Sequence, residues 1–374
     1  VEAATWRQMK AILSQALGQP SAERAAFLDR ACGTDGALRL RVESMLQRAD
    51  IVPEDFLETP PPEVSAPVHV EPEWRGRTLG DYQILRRIGL GGMGQVYLAE
   101  RSRGPRSDRI AIKALRHDVD TPTLRLRFEQ EGRLQARLRH EGVTRWLGQD
   151  AIDGAPCLLM EHVDGLAIDR HCRRFELGLR SRIELVAKLA GAVQHAHDHG
   201  IVHGDIKASN VLVAPSGMPK LLDFGIAQEV HGKPNPAQGP AASALLFTPE
   251  CAAPEQLEGR EPTLRTDVYA LGLLLYRLLT PSGSQTRSTA SGLPKPSWPS
   301  SGAELCLASE YAARYPPDLL SGLPPGERLA SLLRGAIDAA LQRALSCDPA
   351  ARQDSPDSLS LELRRCIGRL PAWV

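Results

Sequence analysis

Ile201-Val202-His203-Gly204-Asp205-Ile206-Lys207-Ala208-Ser209-Asn210, followed by Asp223-Phe224-Gly225, is the stretch on which the reading of the whole chain turns. It spaces an acid, a cation, an amide and a second acid as phosphoryl transfer from a metal-bound nucleotide requires. Asp205 is the residue to orient a hydroxyl and Lys207 the cation to meet a moving phosphate. Asn210 and Asp223 are the oxygen donors to hold metal ions. A motif this short carries little weight alone, so the remaining parts must occur in order around it.

Upstream, Gly89-Leu90-Gly91-Gly92-Met93-Gly94-Gln95-Val96 is a glycine-rich turn preceded by the apolar run Tyr82 to Ile88. Glycines there let the backbone approach phosphates and donate N–H groups. Taken alone the turn is equally a dinucleotide-binding turn or an ordinary hairpin. A dinucleotide site runs from strand directly into helix, whereas Gln95 to Ala99 reads as a second strand, so the turn is expected to be a hairpin lid. Ile110-Ala111-Ile112-Lys113 follows as a short apolar strand ending in a lysine, which is either a surface lysine or a phosphate contact. Leu124 to Leu138 carries Leu124, Phe128, Leu134 and Leu138 at helical intervals, with Glu129 and Glu131 among its charges. Pro156 to Met160 is an apolar strand leading into Glu161-His162-Val163-Asp164-Gly165, and Leu179 to His199 is a long helix feeding the opening motif. His195 and His199, four apart on that helix, are a possible metal pair, but no third ligand sits at the spacing of a zinc-protease motif.

Together these segments resemble a protein kinase, and specifically a bacterial eukaryotic-like serine/threonine kinase of the Hanks type, over roughly residues 80 to 370. The resemblance adds Thr248, Ala253-Pro254-Glu255, Asp267 and Arg352 in the family's order. It implies an α+β bilobal fold, with a small β-rich lobe over about residues 79–160 and a larger helical lobe over about 165–370. It implies ATP with Mg2+ or Mn2+ as cofactors, and it gives residues their roles. Asp205 is the base, Lys207 the cation on the transferred group, Lys113 the phosphate anchor, and Glu131 the partner of Lys113, with Glu129 as the fallback. Gly89, Gly91, Gly92 and Gly94 cover the phosphates. Val96, Ala111, Met160, Glu161, Val163 and Leu212 line the nucleotide site, with Met160 at the gatekeeper position. Asn210 and Asp223 hold metal. Asp267 is expected to cap the backbone of the catalytic loop, and Glu255 to pair with Arg352. Lys207 and Thr248 imply Ser or Thr as the acceptor.

One departure stands out: Gly204 occupies the place where the family usually carries Arg. That Arg binds a phosphate on the activation segment and couples phosphorylation to loop order. Between Ile226 and Phe247 the only hydroxyl-bearing side chain is Ser243. Both features lead to the expectation that activity does not depend on activation-loop phosphorylation. The competing readings are a pseudokinase acting as a nucleotide-binding scaffold and a kinase of small molecules. The intact set of metal, phosphate and hydroxyl residues opposes the first, and Thr248 with Ala253-Pro254-Glu255 opposes the second.

The other features bound the answer. The chain has 374 residues and a formal net charge of 0, which gives no bulk attraction to nucleic acid or to a membrane. Its seven scattered cysteines read as reduced residues of a cytoplasmic protein. No run of about 20 apolar residues is present to span a bilayer. Residues 1–50 read as a helical N-terminal unit: Trp6, Met9, Leu13 and Leu17 form one stripe, Phe27, Leu28 and Ala31 a second, and Leu38, Val42, Met45 and Leu46 a third. Such stripes serve burial, or docking of a regulator or a second copy. Residues 51–78 contain six prolines and read as a stiff linker, leaving 79–370 as the catalytic domain. Pro281 to Gly326 is rich in Ser, Gly and Pro, with a helical candidate over Ala303 to Arg314.

Overall fold

The computed structural model describes residues 12, 21–32, 39, 74–90, 94–102, 109–115, 121–224, 227–229, 248, 251–280, 306–314 and 321–371. The chain divides into two compact units, Val1–Val70 and Glu71–Val374. In the first, helix α1 (Ser21–Cys32) buries Leu28 and Cys32, and Arg39 pairs with Asp29. The expected first and third helical stripes, Trp6 to Leu17 and Leu38 to Leu46, lie outside the described residues, as does most of the proline-rich linker.

The second unit begins with a six-stranded antiparallel sheet in the order β1-β2-β3-β4-β6-β5. Its strands are β1 (Thr78–Leu79), β2 (Tyr82–Leu90), β3 (Gly94–Arg101), β4 (Arg109–Leu115), β5 (Trp146–Ile152) and β6 (Ala155–Glu161). Alternation explains the strands: on β2 and β3, Ile84, Tyr97 and Ala99 point into one core with Ile110 and Ile112 of β4. Trp74 stacks on Tyr97 with ring centroids 5.4 Å apart and is 3% exposed. Residues 74–78, which the proline count assigns to the linker, therefore lie in the folded sheet region.

Helix α2 (Pro122–Ala136) crosses this sheet. Thr121 caps it by accepting from Leu124 N, and a proline opens its first turn. Its apolar face, Leu124 and Phe128, packs with Ala111, Leu115, Leu158 and Met160. The approach is close at Gly132, where a Cβ would lie 2.7 Å from Leu158 Cδ2.

The larger lobe is helical around one continuous core. It contains α3 (Ile168–Arg174), α4 (Leu179–Asp198), α5 (Pro254–Leu257), α6 (Leu264–Leu279), α7 (Ala308–Arg314), α8 (Gly326–Leu333), α9 (Ala336–Ala344) and α10 (Pro356–Arg369). α4 and α6 are the spine, burying residues on nearly every turn. The short strands β7 (Leu166–Ala167), β9 (Val211–Val213) and β10 (Pro219–Leu221) form a three-stranded sheet, while β8 (Ile201–Val202) pairs with β11 (Gln228–Glu229). The helix expected over Ala303 to Arg314 begins only at Ala308: Cys306 and Leu307 precede it without helical structure, and residues 303–305 lie outside the described set. Among the described residues no helix is long and apolar enough to cross a membrane.

Candidate active site

The stretch from Ile201 to Asn210 is largely irregular chain held between regular elements. α4 ends at Asp198, β8 follows, and a single 3-10 turn over Ala208–Asn210 leads into β9. A segment without a ladder of its own must find partners for its buried backbone groups elsewhere. Here they come from Asp267, on the first turn of α6. Its carboxylate accepts from His203 N at 2.9 Å, from Gly204 N at 2.8 Å and from His197 Nε2 at 2.8 Å. Burial opposes ionisation of Asp267, but these hydrogen bonds, that from His197 first, hold its carboxyl below the usual carboxylate range. His203, fully buried, accepts from Asp205 N through Nδ1 at 3.2 Å, which leaves Nε2 to donate to Leu222 O at 3.0 Å. The imidazole thus ties the chain before Asp205 to the chain before Asp223.

Asp205 is bridged to Lys207, whose Nζ donates to Asp205 Oδ2 at 2.6 Å and to Thr248 Oγ1 at 2.5 Å. Thr248 N donates to Asp205 Oδ1 at 3.3 Å, and Asn210 Nδ2 donates to Asp205 O at 2.9 Å and Oδ2 at 3.2 Å. The Asp205 carboxylate is therefore aimed by a cation, an amide and a backbone N–H from the activation segment. Asn210 O accepts from Leu222 N at 2.8 Å, which brings the backbone of Asn210 beside the residue preceding Asp223.

Lys113, on β4, is 6% exposed and donates to both oxygens of Glu131, at 2.6 and 2.8 Å, and to Asp223 Oδ1 at 2.6 Å. Burial works against the charge on Lys113, but the Asp223 and Glu131 carboxylates overcome it and hold the ammonium above the ordinary lysine range. Burial pushes the Glu131 carboxyl up, against the pull of Lys113 and with the Asp223 charge adding to it. Asp223 goes the other way: Lys113 outweighs burial and holds it below the usual carboxylate range. Its side chain is 45% exposed, which favours the charged form on this member of the pair. Asp223 also adopts φ 52°, a left-handed conformation uncommon away from glycine. Glu129, the fallback partner, instead pairs with Arg133 at 3.2 Å on the exposed face of α2.

The candidate nucleotide contacts are spread over both lobes. Val96, Ala111 and Met160 meet in one apolar cluster, with Ala111 paired to Met160 and Val96 to Lys113 across the sheet. Val163 and Leu212 are half-buried beyond it. Glu161 spends its N–H on Arg145 O at 2.9 Å, and its side chain receives Lys220 Nζ at 2.6 Å and Arg145 N at 3.0 Å. Gly89 and Gly94 differ in kind. A Cβ at Gly94 would lie 2.9 Å from Ala114 O, so that glycine serves strand packing, whereas a Cβ at Gly89 meets only Val96 at an ordinary 3.5 Å. Gly91 and Gly92 lie outside the described residues.

The donor chemistry suits Mg2+ with a nucleotide. Asn210 and Asp223 present hard oxygen ligands, and Mg2+ is ordinarily held by one or two carboxylates together with phosphates and water. Among the described residues no group of three or more His, Cys, Asp and Glu is placed to hold a metal. The His195 and His199 side chains are used locally: His195 Nε2 accepts from Arg139 N at 3.2 Å, and His199 Nδ1 is 2.8 Å from His195 O.

At the end of the activation segment, Glu255 is bound by Arg352 through two contacts of 2.7 and 2.8 Å, with Thr266 Oγ1 adding a third at 2.8 Å. Residues to which the sequence reading gave no role are His197, His203, Lys220 and Gln256, each of which holds site backbone or a site side chain.

A protein kinase domain model matches residues 82–290. The chain is 35% identical over 206 residues to the serine/threonine-protein kinase pkn2 of Myxococcus xanthus, covering 54% of this chain and 24% of that protein. It is 33% identical over 256 residues to the serine/threonine-protein kinase PknA of Mycobacterium tuberculosis, covering 67% and 55%. A probable serine/threonine-protein kinase of Streptomyces coelicolor is 31% identical over 299 residues, covering 78% and 41%. The chain thus spans between about a quarter and about half of the length of these curated relatives.

Proposed function

The chain belongs to the protein kinase family, and from that premise we propose that it transfers the γ-phosphate of ATP to Ser or Thr hydroxyls of protein substrates. The observation that carries this reading is the joint set Lys207–Asp205–Thr248 and Lys113–Glu131–Asp223, in which every charged member is held at 2.5–2.8 Å by its partner. Asp205 accepts the hydroxyl proton or orients the hydroxyl for attack. Lys207, already bonded to Asp205 and Thr248, neutralises charge building on the transferred group. Lys113 anchors the α- and β-phosphates, and Glu131 fixes Lys113. Asn210 and Asp223 hold Mg2+ or Mn2+, which when bound neutralises charge on the phosphates. Val96, Ala111, Met160 and Leu212 enclose the adenine, with the backbone of Glu161 and Val163 at its edge. Positioning and electrostatics, rather than covalent chemistry at the protein, supply the acceleration.

Gly204 supplies no charge to an activation-segment phosphate, so activity is independent of phosphorylation there. Ser243 lies outside the described residues. Control then falls to the N-terminal helices, to dimerisation or to a bound partner, within a cytoplasmic bacterial signalling role. The first test incubates the chain with labelled ATP, Mg2+ or Mn2+ and a generic basic protein, beside Asp205→Ala and Asp223→Ala, and then identifies the labelled amino acid. Label on Ser or Thr that both substitutions abolish supports the reading. Absence of label with either metal overturns it in favour of a nucleotide-binding scaffold.

A further inference from the structure

Gly204 adopts φ 77°, a left-handed conformation open to glycine and strained for other residues. The freedom that admits glycine there also leaves it weakly self-constrained, so its geometry must be imposed from outside. Two buried side chains do this. Asp267 Oδ1 takes the Gly204 N–H at 2.8 Å, and Gln256 Nε2 donates to Gly204 O at 2.8 Å. The other end of the same amide, Gln256 Oε1, accepts from Ala253 N at 3.0 Å. Gln256 is 4% exposed and lies on α5, the short helix that closes the activation segment.

The peptide that Gln256 grips is the one joining Gly204 to Asp205. Its carbonyl goes to Gln256 and its N–H, on Asp205, to His203 Nδ1 at 3.2 Å. The plane of that peptide sets the direction in which the Asp205 side chain leaves the backbone. A phosphorylation-coupled kinase would tie this point to the activation segment through an Arg and a phosphate. Here a neutral side-chain amide makes the connection directly.

We infer that Gln256 is a positioning residue for Asp205, joining the Gly204–Asp205 peptide to the closing helix of the activation segment without charge or phosphate. The inference rests on the phosphoryl-transfer reading given above. The role demands an amide, because one side chain must donate to a carbonyl and accept from an N–H at once. A carboxylate only accepts, and an apolar side chain does neither. The amide bonds only Gly204 O and Ala253 N and none of the residues assigned to phosphate or adenine, so its loss acts on turnover and leaves nucleotide binding in place.

The test compares the full chain with Q256M and Q256E. It measures kcat, KM for a protein acceptor, the dissociation constant of a fluorescent ATP analogue, and the melting temperature. Q256M keeps the unbranched shape and fills the same space, so it remains informative should the buried charge of Q256E prevent folding. The expected result is a kcat lower by about ten- to hundredfold in both variants, with nucleotide affinity changed less than about twofold. A folded Q256M with wild-type kcat overturns the role. Parallel loss of kcat, nucleotide affinity and melting temperature also overturns it, since that is the signature of general destabilisation. Wild-type protein that transfers no phosphate, even while binding the analogue, overturns the kinase reading itself and the inference with it.

Discussion

Thr248 offers the sharpest test of how the site works at the scale of a single residue. Its Oγ1 accepts from Lys207 at 2.5 Å while its N–H reaches Asp205. Thr248→Val removes the first contact and keeps the second along with the side-chain shape. A hydrogen bond to a charged group contributes about 1.5–3 kcal/mol, so kcat should fall by about ten- to hundredfold, while Thr248→Ser retains most of it. Steady-state kinetics with KM for ATP unchanged in both variants checks this. The charged residues of the site, Lys113, Glu131, Asp205, Lys207 and Asp223, were legible because their order and spacing along the chain are distinctive. The roles of Gln256 and His203 were not, although His203 lies inside the opening stretch. Each acts by bonding a backbone group brought near only by folding, as His203 does with Leu222 O, and such a bond leaves no pattern in the sequence. Lys220 was equally hidden, since nothing local to β10 announces a partner on β6.

The decisive features at the scale of elements are the places where one secondary structure is pinned to another. Arg352, after the 3-10 turn Pro349–Ala351, reaches Glu255 on α5, and both side chains are almost fully buried. Removing one partner strands a buried charge, so Arg352→Ala should destabilise the fold by about 3–5 kcal/mol. The double change Arg352→Met with Glu255→Gln should cost less, as denaturant unfolding would measure. Burial alone would raise the Glu255 carboxyl, but the Arg352 hydrogen bonds and charge win and hold it below the usual carboxylate range. Its unfolded value lies near about 4.3. A depressed folded value means that the stabilisation is complete above that pH and is lost as pH falls through the folded value. The stability difference between wild type and Glu255→Gln should therefore be constant from pH 7 to about 5 and shrink on further acidification. Helix packing follows the same logic. A Cβ at Gly272 on α6 would lie 2.6 Å from the Ala344 Cβ of α9, so Gly272→Val should cost about 1–3 kcal/mol by overpacking. The helices α2 and α4 were legible in the sequence. The tight crossings at Gly132 and Gly272 were not, because a helical glycine reads as a weak point until its neighbour is known.

The whole molecule depends on where its folded catalytic unit begins. Composition places the boundary at residue 79, after the last proline-rich stretch, because prolines and charges dominate up to that point. Contacts place it earlier. Trp74 is buried and stacked on Tyr97, Arg77 O accepts from Ile84 N at 2.8 Å, and Thr78 pairs with Gln83. A single tryptophan inside a charged segment carries no periodicity, so only its partners on β3 reveal that it belongs to the core. Losing a buried Trp side chain costs about 3–5 kcal/mol, and loss of β1 removes an edge strand besides. Two fragments, 71–374 and 79–374, therefore separate the two boundaries. The longer one should unfold cooperatively and keep the nucleotide affinity of the full chain, since the site and the hydrophobic cores around it lie within Glu71–Val374. The shorter one should melt about 6–20 °C lower, given that each kcal/mol shifts the melting temperature by about 2–4 °C in a large domain. Equal melting temperatures would return the boundary to residue 79 and make Trp74 a surface latch rather than part of the core.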